Sequence, residues 1–247
     1  MPEKSSDTAS LKERIRSGQT LLGMHVPMTL ERDRIQSILD RTPYEFLWVD
    51  SQHAPLNEER LVSFCAMAGE LGLPVQFRIK HTNHAYMIGN HLDLGPSGVE
   101  VPQVEDEATV DEAINSFYYP PTGVRSVGGV TRVGSKERKD RTEYARWWEE
   151  YGVLWVQIES LEAVMKGQQL AKLGVDCLSF GPQDLAFSLE SHADPPFKTV
   201  DECIGHVVEQ LKDTTVAVCH RTTTLDSRQR YIDMGVRVLL ERWDFYP

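Results

Sequence analysis

Apolar residues along the chain fall into short runs, each followed by a longer stretch in which apolar positions recur at helical spacing. The runs are rich in β-branched and aromatic residues and are bounded by Gly, Pro or polar clusters, the pattern of buried strands. Strands are expected over residues 20–26, 46–50, 74–79, 99–102, 153–159, 175–180, 215–219 and 236–240. Helical spacing fills the intervals over 30–39, 58–71, 84–94, 106–117, 141–151, 161–173, from 197 or 199 to 211, and 225–234. Asn57 has the chemistry of an N-cap, and Gly72, Gly95 and Gly174 stand where helices stop. Ahead of the first strand, residues 1–10 read as disordered, and 11–17 as a short helix that Gly18 ends.

Eight strands alternating with helices, with no linker, are the signature of an α/β chain closed into a (β/α)8 TIM barrel. A doubly wound open sheet would want a Gly-rich phosphate turn after its first strand, and none occurs there. The expected organisation is an N-terminal extension over 1–17, disordered or helical, and one barrel domain over 18–247. Little sequence follows the eighth strand, so the closing helix is expected to be missing or truncated.

A length of 247 residues suits a single barrel, and 40% hydrophobic with 26% charged residues is ordinary globular composition. The net charge of −11 argues against nucleic acid and anionic membranes as partners, while leaving room for a local basic pocket. Cys65, Cys177, Cys203 and Cys219 match no zinc or redox spacing and read as free thiols in a reducing compartment. The N-terminus has no apolar signal core and no run is long enough to span a bilayer, so a cytoplasmic address is expected.

In a parallel barrel the chemistry collects at the C-terminal ends of the strands. The run Phe46-Leu47-Trp48-Val49 ends abruptly in Asp50, with Gln52 and His53 just beyond. Arg78 and Lys80 end the third strand, Gln157 and Glu159 the fifth, and Asp184 follows the sixth in Gly181-Pro182-Gln183-Asp184-Leu185. His25 follows the first.

Glu159 and Asp184, with water and a bidentate substrate, make an oxygen-rich site suited to Mg2+ or Mn2+; either acid could instead be a helix N-cap. Arg78 offers a planar fork for a carboxylate, or pairs with an acid of the protein. His53 can move a proton near neutral pH, or is a loop histidine, and Asp50 is a site acid or a cap. Lys80 has no neighbour that would make it a Schiff-base lysine. Together the set would take a 2-oxo acid through its carboxylate and keto oxygens and stabilise an enolate.

These residues carry a resemblance. Trp48-Val49-Asp50-Ser51-Gln52-His53-Ala54-Pro55, Phe77-Arg78, Leu92-Asp93-Leu94-Gly95, Tyr119-Pro120-Pro121-Thr122-Gly123-Val124-Arg125, Val156-Gln157-Ile158-Glu159 and Gly181-Pro182-Gln183-Asp184-Leu185 occur in that order. The chain thereby resembles the metal-dependent (class II) pyruvate aldolases related to 4-hydroxy-2-oxoheptanedioate aldolase, the citrate lyase β subunit and macrophomate synthase, over about residues 20–240.

The resemblance implies aldol cleavage of a 4-hydroxy-2-oxo acid to pyruvate and an aldehyde. It implies a divalent metal (Mg2+, Mn2+ or Co2+) held by Glu159 and Asp184, Arg78 on the pyruvate carboxylate and enolate, and His53 as acid/base. It further implies Gln157 beside the metal, Asp50 supporting the site, backbone N–H groups of the 181–184 turn on the substrate carboxylate, and a homo-oligomer in which Asp93 reaches a neighbouring subunit's site. The alternatives are enolate chemistry begun by oxaloacetate decarboxylation, and a non-catalytic barrel that binds a 2-oxo acid.

The chain departs from the family pattern in several places. Gln52 stands where Glu is usual, strand seven ends in Cys219-His220-Arg221, and strand eight ends in Leu240-Glu241-Arg242-Trp243. The 129–135 loop, where Arg132 is a candidate acceptor ligand, is one residue shorter. None of these features names the acceptor.

Overall fold

In a computed structural model, which describes residues 9–246, eight parallel strands close into one barrel in the order β1 to β8. They are β1 (Leu21–His25), β2 (Phe46–Asp50), β3 (Val75–Arg78), β4 (Gly98–Val101), β5 (Val153–Ile158), β6 (Cys177–Phe180), β7 (Ala217–Arg221) and β8 (Val238–Arg242). The expected α/β barrel is the observed one, and the expected runs locate every strand. The clearest difference lies in β7 and β8, which run on to Arg221 and Arg242. Polar side chains at these ends face the barrel mouth, and their backbones keep pairing: Arg221 is in register with Leu240, and Arg242 with His25. A polar residue ends an apolar run without ending a ladder.

Period-two alternation divides the strand residues between two cores. Outward side chains such as Leu47, Val49, Phe77, Val99, Val156 and Leu178 pack under the helices. Inward ones form a separate cluster of Leu21, Phe46, Trp48, Val153, Trp155, Cys177, Ala217, Cys219, Val238 and Leu240, which fills the lumen. Leu11 and Ile15 complete that cluster. They come from the helix Leu11–Arg16, which is capped by the Ser10 hydroxyl, and the chain leaves this helix through Gly18 at φ 75°. The lumen therefore has a floor made by the segment that precedes β1. Residues 1–8, read from sequence as disordered, lie outside the described residues.

Helices cover the outside with polar N-caps where the sequence places them: Asn57 accepts from the Arg60 N–H, Asp106 from Thr109 and Ser160 from Ala163. The 84–94 and 161–173 stretches are each broken into two short pieces, Thr82–Met87 with Ile88–Leu92, and Leu161–Met165 with Gly167–Leu170. After β8 the described chain makes only the turn Trp243–Phe245 and Tyr246. Glu241, buried on the outer face of β8, accepts from Nε and Nη2 of Arg228 and from the Tyr44 hydroxyl. Tyr246 joins Tyr44 and Thr42 in the same cluster. Of the four cysteines, all free, Cys177, Cys203 and Cys219 are buried. No helix among the described residues is long and apolar enough to cross a membrane.

Candidate active site

The inward positions at the C-terminal ends of the strands are polar, and register lines them up. Asp50 pairs in register with Arg78, Arg78 with Glu100, and Gln157 with Ser179. Adjacent strand ends thus bring unlike charges together without any loop having to fold over them.

Arg78 is the hub, 7% exposed. Its Nε and Nη2 donate to the two Asp50 oxygens at 2.8 Å each, and its Nη1 donates to Gln157 Oε1 at 3.1 Å. Three of the five N–H donors of a guanidinium are thereby engaged, leaving the others for a ligand. Burial alone would raise the Asp50 pKa, but the bonds and charge of Arg78 outweigh it and hold the carboxyl below its ordinary value. Asp50 also accepts from the backbone N–H of Gln52 and His53, which shapes the turn after β2. It pairs with Arg78 at the barrel mouth and does not cap the following helix, whose cap is Asn57.

The chain of bonds continues from Gln157 Nε2 to Glu159 Oε2 at 3.0 Å. Glu159 Oε1 accepts from the backbone N–H of Gln103 at 3.0 Å. Gln103 is the sole non-glycine residue described with positive φ, at 50°, a conformation that aims its N–H at the carboxylate. Glu159 is 6% exposed, and burial, followed by the nearby negative charge of Asp184, pushes its pKa up to about 7. Asp184 lies exposed in the first turn of the helix Pro182–Ser191, where Pro182 takes the N1 position. The Gln183 and Asp184 N–H groups lie in that first turn, where helix geometry leaves N–H groups without intrahelical acceptors. Gly181 must be glycine here, since a Cβ would lie 2.1 Å from Glu159 Oε2 and 2.6 Å from Gln157 Nε2.

A second guanidinium faces the same space. Arg221 Nη2 donates to both oxygens of Glu100 at 2.8 and 2.9 Å, and Nη1 to Ser179 Oγ and the Phe180 carbonyl. Glu100 is fully buried and also accepts from Trp48 Nε1 at 2.6 Å. The Trp48 ring carries both arginines, with Arg78 5.0 Å and Arg221 4.8 Å from its centre. Sequence reading took Trp48 as strand and left Arg221 and Glu100 without a role. Residues of β4 and β7 are not neighbours in the sheet, and they meet only across the lumen. The available signal was Glu100 itself, a lone charge between Val99 and Val101 at an inward position.

Of these groups Arg78, Gln157, Asp184 and Arg221 line a cavity of about 580 Å3, with His53 and Arg242 among its other walls, while Glu159 and Glu100 reach it through Gln157 and Arg221. His53 is exposed at its rim, and also borders a second cavity toward Met28 and Pro55. His25 lies edge-on to Trp48 at 4.6 Å, and burial, then the charge of Arg221, lowers its pKa to about 4. Gln52 Oε1 is buried without a hydrogen-bond partner. Lys80 is exposed and does not line the cavity.

Asp93 and Arg132 are not brought to either cavity. Asp93 Oδ1 takes Arg125 Nη2 at 2.9 Å, and Arg125 is sandwiched between Tyr119 and Trp148. Arg132 donates to the Gly128 and Gly129 carbonyls of its own loop and lies over Tyr144.

Glu159, just after β5, and Asp184, just after the neighbouring β6, are oxygen donors of the kind that would suit a hard divalent cation. A cation would offset both the burial and the mutual repulsion that raise the Glu159 pKa, and its remaining positions would be open to water and oxo-acid oxygens. No group of three or more His, Cys, Asp or Glu able to hold a metal occurs among the described residues.

In parallel barrels of this kind enzyme active sites lie at the C-terminal mouth of the strands, where these acids and the forked arginine are placed. The chain matches the HpcH/HpaI aldolase/citrate lyase family over residues 23–238 and belongs to it. It is 31% identical over 206 residues to the hydroxypyruvate/pyruvate aldolase of Delftia acidovorans, covering 82% of this chain and 75% of that protein. It is 25% identical over 229 residues to the 4-hydroxy-2-oxo-heptane-1,7-dioate aldolase of Escherichia coli, covering 92% and 85%. A solved structure of an HpcH/HpaI aldolase/citrate lyase family protein from Burkholderia cenocepacia superposes with a TM-score of 0.79 at 25% identity, covering 96% of this chain and 93% of that one.

Proposed function

We propose that the chain is a divalent-metal-dependent aldolase that cleaves a 4-hydroxy-2-oxo acid reversibly to pyruvate and an aldehyde. The observation that carries this reading is the continuous buried row Asp50–Arg78–Gln157–Glu159, which opens onto a cavity with Asp184 on its wall.

Glu159 and Asp184 would hold the cation, either Mg2+, Mn2+ or Co2+. A bound divalent cation supplies Lewis-acid polarisation of the 2-oxo carbonyl and lowers the energy of the pyruvate enolate. Arg78, with Asp50 fixing its plane, directs its unengaged N–H groups at the substrate carboxylate and at the oxygen where enolate charge develops. The first-turn N–H groups of Gln183 and Asp184 add donors for that carboxylate. Gln157 links Arg78 to Glu159, accepting from the one and donating to the other. His53 accepts the proton of the substrate's 4-hydroxyl, the C3–C4 bond breaks, and its electron pair stays with the enolate as the aldehyde leaves. His53 then returns the proton to C3.

The reading includes a homo-oligomer. Asp93 lies outside its own chain's cavity and is partly exposed, which suits service to a neighbouring copy's site.

The test is pyruvate release, coupled to a lactate dehydrogenase readout, from 4-hydroxy-2-oxo acids with Mg2+, Mn2+ or Co2+ and with EDTA. Metal-dependent release that EDTA abolishes is the expected result. Pyruvate from oxaloacetate alone would replace aldol cleavage by decarboxylation. Metal binding with no turnover of any substrate would leave a binding protein.

A further inference from the structure

Arg78 has two acids within reach. β3 lies between β2 and β4, and Arg78 is in register with Asp50 on one side and with Glu100 on the other. All three alternate with the outward residues Val49, Phe77, Val99 and Val101, so their side chains point into the barrel. Neighbouring strands lie about 4.8 Å apart, well within the length of an arginine side chain. Glu100 is the drier acid, fully buried against 9% exposure for the Asp50 side chain, and attraction grows as water is excluded. Arg78 nevertheless puts Nε and Nη2 on Asp50.

What keeps it there comes from across the lumen. Arg221, on β7, donates from Nη2 to both oxygens of Glu100, and Trp48 Nε1 donates to Oε2 as well. Arg221 is itself anchored by Nη1 on Ser179 Oγ and the Phe180 carbonyl. Both Glu100 oxygens are therefore engaged before Arg78 could turn to them. Two inward acids thus share two arginines, one each. Without Arg221, a single cation would stand between two buried carboxylates, and a buried charge without its partner is costly. An Arg78 drawn to Glu100 would also leave Gln157 Oε1, and the row that runs on to Glu159 would be cut. Arg221 stands at the strand-seven end, where the chain departs from the family pattern.

We infer that Arg221 is a positioning residue: by occupying Glu100 it commits Arg78 to Asp50 and leaves the unengaged Arg78 donors for the ligand. The inference rests on the aldolase reading above, in which those donors take the pyruvate carboxylate. Arg221 acts here through Glu100 and Arg78, without touching the reacting atoms. Its loss should therefore be repaired by removing the competing charge of Glu100, which a purely structural role would not allow.

The experiment is a double-mutant cycle on Arg221→Gln and Glu100→Gln. It is read by exchange of the pyruvate methyl protons in D2O with Mg2+, followed by proton NMR over a range of pyruvate concentrations. Arg221→Gln should raise the KM for pyruvate and lower kcat/KM by at least about tenfold, and adding Glu100→Gln should restore it to within about threefold of the parent. A crystal structure of Arg221→Gln should show the Arg78 guanidinium on Glu100. Arg221→Lys keeps the charge but lacks the fork, so it should show a smaller loss with the same rescue, and it serves if the Gln variant fails to fold. Loss without rescue in folded protein would overturn the inference, as would Arg78 still on Asp50 in Arg221→Gln, or parental kcat/KM in that variant. Absence of methyl exchange in the parent would remove the pyruvate reading instead, and the crystal structure would then decide the hold of Arg221 on Arg78 by itself.

Discussion

The barrel carries a buried ionic cluster at each end, and the two are built to different purposes. At the floor, Asp176 is fully buried between Lys12 and Arg16, with the Leu154 N–H on the same oxygen as Lys12. Lys12 also donates to the Tyr118 hydroxyl and the Gly152 carbonyl at 2.8 and 2.7 Å. Burial outweighs attraction for both partners: it lowers the Lys12 pKa to about 8 and pushes Asp176 up. At the mouth, Asp50 and Arg78 are nearly as buried, yet Arg78 retains unengaged donors and faces a cavity. The floor cluster satisfies its charges internally and ties the Leu11–Arg16 helix to the strands. The mouth cluster is incomplete by design, and a ligand would complete it.

The comparison is broken most directly at the floor. Asp176→Ala leaves Lys12 buried without its counter-charge, and should cost about 3–5 kcal/mol of stability by urea unfolding. Activity per folded molecule should be unchanged.

Arg78→Ala is the mirror case. It should lower kcat/KM by about 10³-fold, roughly 4 kcal/mol, with a far-UV spectrum like the parent's. A matching loss of folded protein would erase the contrast between the two ends.

The ends also differ in the sign of their pH dependence. Glu159 has a folded pKa of about 7 against an ordinary 4.5, so between those values the folded state binds more protons. Its contribution is therefore present at low pH and is lost as pH rises toward 7 in metal-free protein. Lys12 has a folded pKa of about 8 against 10.5, so the unfolded state binds more protons in that window and stability rises with pH there. Urea midpoints across both windows, for the parent, Glu159→Gln and Lys12→Met, check each sign. The same protonation should weaken Mn2+ binding by up to about tenfold per pH unit below 7, measurable by titration calorimetry.

The smallest effect should come from the exposed Arg242–Asp244 pair. Its removal by Asp244→Asn should change stability by less than about 1 kcal/mol.

The barrel was legible because its strands are short apolar runs at steady spacing, and the row at the mouth was legible because each member ends such a run. Asp50, Arg78, Gln157 and Glu159 therefore met as expected. The Glu100–Arg221 pair escaped notice because it spans the lumen between strands that are not neighbours. Gln103 escaped because its contribution is a backbone N–H, set by a φ of 50° that its side chain does not encode. Asp93, expected from the resemblance to reach a neighbouring subunit's site, lies apart from its own chain's cavity, and so does Arg132, the candidate acceptor ligand, whose guanidinium is turned onto the carbonyls of its own loop.

The Glu241 cluster has a bearing on how the ring of strands comes apart. Beside β8, Tyr44 and Arg228 converge on the Glu241 carboxylate and Tyr246 joins them through the Tyr44 hydroxyl, a clasp made of side chains. A clasp of that kind releases all at once when a single member lets go. The seam between β8 and β1 is therefore where the ring should first unzip, and its amide protons should trade with solvent ahead of those in the other strands.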